Sequence, residues 1–445
     1  MNKNITIDIP KEAADILRLL EQHGFEAYVV GGCIRDSIIG RNPQDWDIAS
    51  SAKPTDVKKI FTKTIDTGLK HGTVTVFLKD LAYEITTYRI EGKYINNRRP
   101  ETVAFTNSIE ADLSRRDFTI NAMAYNPSKG LLDPFGGLDD MKSKQIRTVG
   151  SSEQRFEEDA LRMLRAIRFS AQLGYIIEPD TLIAIKNHCH LIANISGERI
   201  REELNKTLLA NPMSFEILHS TGILKEIMPE LDYCFATPQR HPYHVFNVGL
   251  HSLNAANNIE KSSLLRWTML LHDIGKPYVR TTDSNGIDHF YMHQKHSAEK
   301  AELILQRLRF DNSSISQIKR LIKEHDRQVG ESEKSVRKAM AAIGVDLFEA
   351  WLQIRAADIS AQHPEKAQER IAHLNIIKAA YHKIVQEKQC LSLKDLAING
   401  KDLVEMGFPQ DRKLGEVLQK LLDAVLEQPK MNERNKLLEL AKILI

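Results

Sequence analysis

The sequence has few cysteines, no long apolar run and no excess of either charge. Four cysteines (Cys33, Cys189, Cys234 and Cys390) occur in 445 residues without C-x-x-C spacing. This argues against a disulfide framework or a cysteine metal site and favours reduced thiols in the cytoplasm. Because no run of about 18 apolar residues is present, we expect no membrane span. The 61 basic and 59 acidic residues leave a net charge of +2, which does not demand a nucleic-acid partner but leaves room for a basic face.

Length and hydrophobic patterning divide the chain into a mixed first part and a helical remainder. With 42% hydrophobic and 27% charged residues, the chain predicts roughly two to four globular domains. Residues 11–23 carry a helical apolar face that ends at Gly24, and the runs EAYVV, DWDIAS, TVTVFL and AYEITTYR predict strands, the last two as a hairpin. From about residue 153 helical periodicity dominates, with segments 230–243 and 280–292 irregular. The N-terminal stretch MNKNITIDIPKEAADILRLL is charged and amphipathic, without a signal peptide's apolar core.

Two glycines and two alternating aspartates occur together in VVGGCIRDSIIGRNPQDWDIAS, residues 29–50. Gly31 and Gly32 allow the backbone to approach a ligand closely. In an extended segment Asp45 and Asp47 share one face, and two adjacent carboxylates suit a divalent cation between them. Glu84, on a later predicted strand, could be a third acidic group or a solvated strand residue. A D-x-D triplet by itself is also compatible with a solvated sheet edge.

Five motifs follow one another in the N-terminal part of the chain: GGCIRD, DWD, RRDFTINAMAY (115–125), DPFGG (133–137) and EEDALRMLRAIRF (157–169). In order and spacing they resemble the class II tRNA nucleotidyltransferases, which comprise the CCA-adding enzymes and their bacterial poly(A) polymerase relatives. The match extends from the N-terminus to about position 230, and the segment from INGKDLVEMGF onward resembles the family's C-terminal helical region.

The resemblance implies an α+β protein with an N-terminal nucleotidyltransferase head built on a mixed β-sheet, followed by an elongated all-α part. The expected divisions are the head at 1–150, a helical neck that selects the nucleotide and binds RNA at 151–230, an HD-type body at 231–362, and a tRNA-binding tail at 363–445. The implied partners are tRNA, CTP and ATP.

The same resemblance implies roles for the motif residues. Asp45 and Asp47 match the carboxylates that hold Mg²⁺ for in-line attack of the tRNA 3′-hydroxyl, with Glu84 as a third catalytic acid. The residues implied for binding the nucleotide are Gly31, Gly32, Arg35, Arg116, Asp117, Asn121, Asp159 and Arg162. Arg115 is interpreted as a surface cation.

Asp159 and Arg162 are implied to choose the base. Their spacing predicts neighbours on one helix, which alone would indicate an ordinary i,i+3 salt bridge. Cytosine and adenine both present an amino donor beside a ring-nitrogen acceptor, so a carboxylate and a guanidinium can recognise both and reject uracil and guanine. The long segment IEGKYINNRRPETVAFTNSIEADLSRRD favours complete CCA addition, but relatives that add only A or poly(A) stay possible.

A second site is predicted in LLRWTMLLHDIGKP, residues 264–277, which resembles the signature of HD metal-dependent phosphohydrolases. The implied ligands, in chain order, are His251, His272, Asp273, His293, His325 and Asp358, a set that suits a transition metal or a two-metal site. His293 is preferred over His296 because of the preceding HFY. The alternative is an HD fold kept only as a helical scaffold. The HCH triplet at 188–190 is interpreted as structural, because adjacent helical residues diverge around the axis.

Three functions are therefore compatible with the sequence: tRNA 3′-end synthesis without a template, a phosphohydrolase whose head only binds RNA, and an inactive RNA-binding scaffold. The acidic pair and the Asp159/Arg162 pair favour the first function, because neither alternative needs base selectivity. Oligomeric state, the HD substrate and its metal are left open by the sequence.

Overall fold

The computed structural model describes residues 5–444 except 93, 96 and 98. The chain divides into two units, Met1–Ile227 and Met228–Ile445. The finer boundaries at residues 150, 230 and 362 stay predictions.

The first unit contains the strands of the protein's main sheet and a helical part that follows it. Its strands are Ala27–Val30 (β1), Ile48–Ser50 (β2), Thr64–Gly68 (β3), Thr73–Leu78 (β4), Leu81–Thr87 (β5), Arg89–Glu91 (β6), Tyr94–Ile95 (β7), Arg99–Pro100 (β8), Val103–Phe105 (β9), Ala124–Asn126 (β10), Gly130–Leu132 (β11), Gln145–Ile146 (β12) and Ile176–Ile177 (β13). Its α-helices are Lys11–Gln22 (α1), Gly32–Ile38 (α2), Pro54–Ile60 (α3), Ile109–Ser114 (α4), Gly137–Lys142 (α5), Ser152–Glu158 (α6), Leu161–Leu173 (α7), Pro179–His188 (α8), Gly197–Ala210 (α9), Phe215–Ser220 (α10) and Ile223–Ile227 (α11). Short 3₁₀ helices are Leu69–His71, Thr119–Asn121, Cys189–Asn194 and Pro212–Ser214.

The main sheet has the strand order β11-β10-β1-β2-β5-β4-β3. Strands β2 and β5 run parallel and the other neighbours run antiparallel, so the predicted mixed sheet is confirmed. The predicted hairpin is also confirmed: β4 and β5 are joined by Lys79 and Asp80, both at positive φ, which suits a tight two-residue turn. A buried cluster that includes Tyr28, Val30 and Tyr88 packs against one face of the sheet.

Three local predictions need correction. Asp45 and Asp47 precede β2 rather than lying within it, although the Val30 amide donates to the Asp47 carbonyl (2.9 Å) and extends the β1–β2 ladder by one bond. The polar segment EGKYINNRRPETVAF, residues 91–105, has the composition of a loop, but the structure pairs β6 with β9 and β7 with β8 there; its residues 93, 96 and 98 lie outside the described part. The segment 230–243, predicted to be irregular, is helical as far as Phe235, in a helix that begins at Pro229, a residue favoured in the first helical turn.

The second unit is helical throughout most of its described length. Its helices are Pro229–Phe235 (α12), Val248–Asn257 (α13), Ser263–Leu271 (α14), Lys276–Val279 (α15), His293–Arg307 (α16), Asn312–Glu324 (α17), Glu333–Ile343 (α18), Phe348–Ser360 (α19), Pro364–Gln386 (α20), Gly400–Glu405 (α21), Arg412–Glu427 (α22) and Arg434–Ile443 (α23). Thr281–Thr282 (β14) and Asp288–His289 (β15) form a small ribbon, and Leu393–Asp395 and Pro429–Met431 are 3₁₀ helices. No helix among the described residues is both long and apolar enough to cross a membrane.

Candidate active sites

The first candidate site is built around the sharp turn between β1 and α2. Gly31 has φ +83°, a conformation that disfavours any side chain, and a Cβ there would lie 2.9 Å from Nη1 of Arg116. At Gly32 a Cβ would be 3.6 Å from Nη2 of Arg35, an ordinary contact. The glycine at 31 therefore leaves room for the Arg116 guanidinium directly against the backbone.

Three acidic side chains share the neighbouring part of the sheet. Because β2 and β5 pair in parallel with Ile48 opposite Ile85, the residues just before them, Asp47 and Glu84, are neighbours. Desolvation by the surrounding protein, followed by the charges of Asp47 and Asp45, raises the pKa of Glu84. Desolvation also raises the pKa of Asp47, with Arg116 opposing and Asp45 reinforcing the shift.

The pKa values are raised chiefly by desolvation and then by repulsion between the carboxylates, and a divalent cation beside them would favour their charged forms. All three acidic residues are exposed at their outer ends. Groups of three possible ligand atoms that lie within 4.8 Å of one another were found, among the described residues, in the second unit instead. The three carboxylates thus form an open acidic face rather than a closed coordination shell.

The residues predicted to bind the nucleotide form a connected network beside this face. Arg35 donates to the Asn121 side-chain oxygen (2.5 Å), and the Asn121 amide donates to Asp117 (3.2 Å). Asp117 also accepts from Nε of Arg165 (2.7 Å). Burial favours a higher pKa for Asp117, but Arg165 and Arg162 outweigh it and bring this pKa down to about 2. The network keeps Asp117 ionised and holds Asn121 and Arg35 in one orientation.

Arg165 was not identified as a candidate from the sequence. The available signal was the spacing of Arg162, Arg165 and Arg168 along α7, where residues three apart are neighbours. Arg168 donates to Glu203 on α9 (2.5 Å) and lies over the Phe169 ring, 4.1 Å from its centroid. The cations of α7 are therefore paired, and one of them supports the predicted nucleotide site.

The predicted single helix through EDALR is wrong. Asp159 is extended (φ −138°, ψ 102°) between α6 and α7, and its Oδ1 accepts from the Leu161 amide at 3.1 Å. The carboxylate thereby caps the start of the second helix, which an aspartate does well. Among the described residues no hydrogen bond or ion pair joins the side chains of Asp159 and Arg162.

Each of these two side chains has another partner instead. Arg162 donates to Glu158 (2.7 Å) and to the Arg115 carbonyl (3.0 Å). Asp159 accepts from Nη2 of Arg199 at 3.0 Å. Arg115 is also not a simple surface cation, because its side chain is 18% exposed and pairs with the buried Asp112 at 2.8 Å.

A second candidate site lies in the second unit, where a long stretch of chain converges. The structure brings together all six predicted HD residues: His251 from α13, His272 and Asp273 after α14, His293 at the start of α16, His325 after α17, and Asp358 from α19. His293 Nε2 lies 3.3 Å from Asp273 Oδ1, whereas His296 faces the exposed Glu299. The structure therefore places His293, and not His296, in this group, which we call the HD cluster.

One side of the HD cluster is formed by two carboxylates and two imidazoles. His251 Nε2 lies 3.0 Å from Asp358 Oδ1, and His272 Nε2 lies 3.2 Å from Asp273 Oδ2. Burial opposes protonation of His272, but Asp273 and Asp358 outweigh it and raise its pKa to about 10. The carboxylates therefore require a positive charge between them, either a proton or a cation.

Backbone carbonyls orient three imidazoles of the HD cluster from behind. The Nδ1 atoms of His272, His293 and His325 lie 2.7, 2.9 and 2.7 Å from carbonyl oxygens three residues earlier in the chain. Such contacts place the proton on Nδ1 and leave Nε2 free to bind a metal. Among the described residues, His272 Nε2 and both Asp273 carboxylate oxygens are buried and make no hydrogen bond of good geometry, although His272 and Lys276 lie within ion-pair distance of Asp273. This donor set fits a transition metal.

Two further residues at the HD cluster were not predicted. Nζ of Lys276 lies 2.7 Å from Asp273 Oδ2 and 2.7 Å from Gln239 Oε1. His244 packs its ring edge against His251 at 5.2 Å. Both line a cavity of about 500 Å³ that reaches Asp273 and Asp358. Lys276 could have been found three residues after Asp273 in HDIGKP; His244 follows no periodic pattern.

The HCH triplet at 188–190 belongs neither to the acidic face nor to the HD cluster. His188 is the last residue of α8, and its Nδ1 lies 3.0 Å from the Ala184 carbonyl, as in a helix C-terminal contact. Among the described residues the triplet contributes to no group of possible metal ligands. This placement is consistent with a structural role.

Comparison with known proteins finds three family models along the chain. Residues 27–147 match the Poly A polymerase head domain, residues 174–235 the "Probable RNA and SrmB- binding site of polymerase A", and residues 280–441 the tRNA nucleotidyltransferase domain 2.

Curated relatives are CCA-adding enzymes. That of Ligilactobacillus salivarius is 36% identical over 98% of this chain and 96% of its own length, and that of Lactobacillus johnsonii is 34% identical over 93% and 92%. That of Geobacillus stearothermophilus is 50% identical over 48% of this chain and 53% of its own length. In such local matches the chain spans about half the length of the curated relatives.

Solved structures agree with these relatives. The Bacillus stearothermophilus CCA-adding enzyme in complex with CTP has a TM-score of 0.74 and 30% identity, covering 97% of this chain and 98% of that one. The Thermotoga maritima CCA-adding enzyme complexed with tRNA has a TM-score of 0.57 at 22% identity, covering 97% and 94%, which supports the fold.

Proposed function

Because this chain belongs to the CCA-adding enzyme family, we propose that it adds CCA to the 3′ end of tRNA from CTP and ATP, without a nucleic-acid template, and releases pyrophosphate. The observation that carries the proposal is the position of Arg116, whose charge acts on Asp47 of the acidic face and whose guanidinium lies at the Gly31 turn beside Asn121 of the Arg35–Asn121–Asp117 network. A nucleotidyl transfer needs this combination of an acidic metal-binding face and cations for the triphosphate. The free thiols of the four cysteines favour the cytoplasm as the location.

In this proposal Asp45 and Asp47 hold Mg²⁺, which supplies Lewis acidity for attack of the 3′-hydroxyl on the α-phosphate. Arg35 and Arg116 neutralise the triphosphate as charge-assisted donors. The turn at Gly31 brings backbone and Arg116 close together, so the phosphates have a narrow, positively charged position to occupy. Asn121 is held by Arg35 and Asp117 and presents its amide in a fixed orientation.

We propose that Asp159 and Arg162 recognise the incoming base. They act as separate groups, each fixed by its own partner, rather than as a preformed ion pair. The carboxylate accepts from the amino group of C or A, and the guanidinium donates to the adjacent ring nitrogen. U and G present the reverse pattern, so a carbonyl oxygen would face the Asp159 carboxylate and a ring N–H would face the Arg162 guanidinium. Neither charged group would then have a hydrogen-bond partner on the base, which is costly in a buried site.

The decisive experiment offers purified protein three tRNAs that end before C74, before C75 and before A76, with labelled CTP or ATP. Complete CCA addition predicts incorporation of C into the first two and of A into the third. A protein that extends only the third tRNA would be an A-adding relative, and long A tails would indicate a poly(A) polymerase. In parallel, Asp47→Ala should lower the rate by about 10³-fold, as loss of a required Lewis acid does. The matched control is Asp66→Ala, an exposed carboxylate on the edge strand β3 of the same sheet.

We propose as a second activity that the HD cluster binds a transition metal and hydrolyses a phosphomonoester or a 2′,3′-cyclic phosphodiester. The supporting observation is that buried imidazole and carboxylate ligands converge: His272 Nε2 lies 3.2 Å and His293 Nε2 3.3 Å from Asp273, and the rings of His272, His293 and His325 are oriented by carbonyls behind them. Lys276 pairs with only one oxygen of Asp273, at 2.7 Å, and a bound cation would satisfy the remaining buried ligand atoms.

This second activity is tested on the full-length protein by elemental analysis and by hydrolysis of both substrate classes. The double variant His272→Ala/Asp273→Ala should lose metal and hydrolysis but keep CCA addition. If no metal binds, even after loading with Mn²⁺, Ni²⁺ or Co²⁺, the HD cluster is a helical scaffold.

A further inference from the structure

Two ion pairs join helix α9 to the region of α6 and α7 in the first unit. Arg199 donates from Nη2 to Asp159 Oδ2 at 3.0 Å, and Arg168 donates to Glu203 Oε2 at 2.5 Å. Arg199 and Glu203 are four residues apart on α9 and therefore share one face of that helix. The Arg199–Asp159 pair links α9 to the extended residue between α6 and α7, and the Arg168–Glu203 pair links α9 to α7.

The Asp159 carboxylate is consequently fixed from two directions. Oδ1 accepts from the Leu161 amide at 3.1 Å, and Oδ2 accepts from Arg199. A carboxylate has about four acceptor positions, so these two bonds set its plane and leave lone pairs for another donor. The hydrogen bond from the Leu161 amide fixes only Oδ1, so the carboxylate could still turn about this hydrogen bond. The second hydrogen bond, from Arg199 to Oδ2, limits that rotation.

We propose that Arg199 is a positioning residue for base selection: it orients Asp159 so that the free lone pairs face the amino group of C or A. This inference rests on the proposed function, in which Asp159 recognises the base. Arg199 contacts neither the acidic face nor the triphosphate network in the described structure, so it acts through Asp159. Without it the carboxylate can turn, and a rotated carboxylate no longer discriminates an amino group from a carbonyl at the same position.

The test is kcat/KM for all four nucleoside triphosphates on tRNA lacking CCA, and for ATP and GTP on tRNA ending in CC. Arg199→Met keeps the length of the side chain but removes the donor. We expect discrimination of C from U and of A from G to fall about tenfold, the scale for losing one hydrogen bond to a charged specificity group. kcat with the correct nucleotide should change much less. Arg199→Lys should keep discrimination, because lysine retains a charged donor for Asp159 and the contact uses only one nitrogen of Arg199, Nη2. The other terminal nitrogen, Nη1, has no hydrogen-bond partner among the described residues, so its loss removes no hydrogen bond.

Two parallel variants separate this role from its alternatives. Glu203→Gln weakens the other α7–α9 ion pair without touching Asp159; it should lower thermal stability and leave discrimination unchanged. If Glu203→Gln relaxes discrimination as much as Arg199→Met, the effect is one of helix packing and the inference is overturned. If Asp159→Ala relaxes discrimination but Arg199→Met does not, only the role of Arg199 is overturned. If Asp159→Ala itself keeps full discrimination, base reading by Asp159 fails, and the role of Arg199 fails with it.

Discussion

Replacing Gly31 by alanine should damage catalysis more than it damages folding. The substitution has two separable effects. The first is backbone strain, because Gly31 has φ +83° and ψ −132°, a combination that residues with a Cβ rarely adopt and that costs about 1–3 kcal/mol. The second is a clash, because the new Cβ would lie 2.9 Å from Nη1 of Arg116, closer than such atoms approach in real structures.

The clash falls on the far end of a flexible side chain, so it adds little to the cost of folding and instead moves the guanidinium. Arg116 lies close enough to Asp47 for its charge to oppose the rise in the pKa of that carboxyl, and it is the proposed triphosphate cation. A displacement of about 1 Å in a positioned group can reduce the rate by about 10²-fold. We therefore expect Gly31→Ala to lose about 10- to 100-fold in kcat/KM for CTP.

Gly24 offers a matched control. It has φ +84°, and a Cβ there would meet no atom within 4 Å, so Gly24→Ala carries the strain without the clash. The assays are the thermal midpoint and kcat/KM for CTP on tRNA lacking CCA. Both variants should lose stability, and Gly24→Ala should keep its activity. If Gly31→Ala retains activity within about twofold of Gly24→Ala, the reasoning that Gly31 makes room for a working Arg116 is refuted.

Three further predictions concern other parts of the molecule. Glu84→Gln should lower kcat about 10-fold or more if Glu84 shares the divalent cation; an unchanged rate would leave it a solvated strand residue. Asp117→Asn should cost about 2 kcal/mol at neutral pH, because the pKa of Asp117 is about 2 in the folded protein against 3.8 ordinarily. A carboxyl whose pKa is lower in the folded than in the unfolded protein contributes stability above its unfolded pKa, and this contribution is lost on acidification. The difference in thermal midpoint between wild type and Asp117→Asn should therefore be full above about pH 5 and narrow from pH 4 towards pH 2. A difference that does not depend on pH would show that the Arg165 pair is not its source. Gly275→Ala should destabilise the second unit by about 1–3 kcal/mol, because its Cβ would lie 2.5 Å from the Ser297 backbone nitrogen; a calorimetric trace like that of the wild type would contradict this contact.

Much of the local structure followed from the sequence because its causes are local. The apolar face of α1 and its end at Gly24 are visible within one short segment, and the β4–β5 hairpin needs only two alternating runs and a short polar turn. In β5 the structure leaves Glu84 exposed between the buried Tyr83 and Ile85, as the period-2 geometry of a strand requires. Leu161, Leu164 and Ile167 recur at helical spacing in the sequence and are buried in α7.

The break at Asp159 shows where local reasoning failed. Apolar periodicity continues through EEDALRMLRAIRF, so nothing in the pattern marks an end between Glu158 and Leu161. The break exists because the Asp159 side chain takes the Leu161 amide and competes with the helical backbone bond. Aspartate has this ability wherever it occurs, and whether the bond forms depends on what stabilises the extended residue, here Arg199 on another helix.

The sequence by itself determined which residue types are present for chemistry, because the acidic pair, the glycine turn and the HD motif are each contained in a short segment. Only the tertiary structure decided which partners they have. Arg199 is 40 residues from Asp159, Arg165 is 48 residues from Asp117, and His251 is 107 residues from Asp358. Such pairs form when particular helix faces and strand registers pack together, and that choice depends on the burial of the whole apolar surface rather than on any one segment.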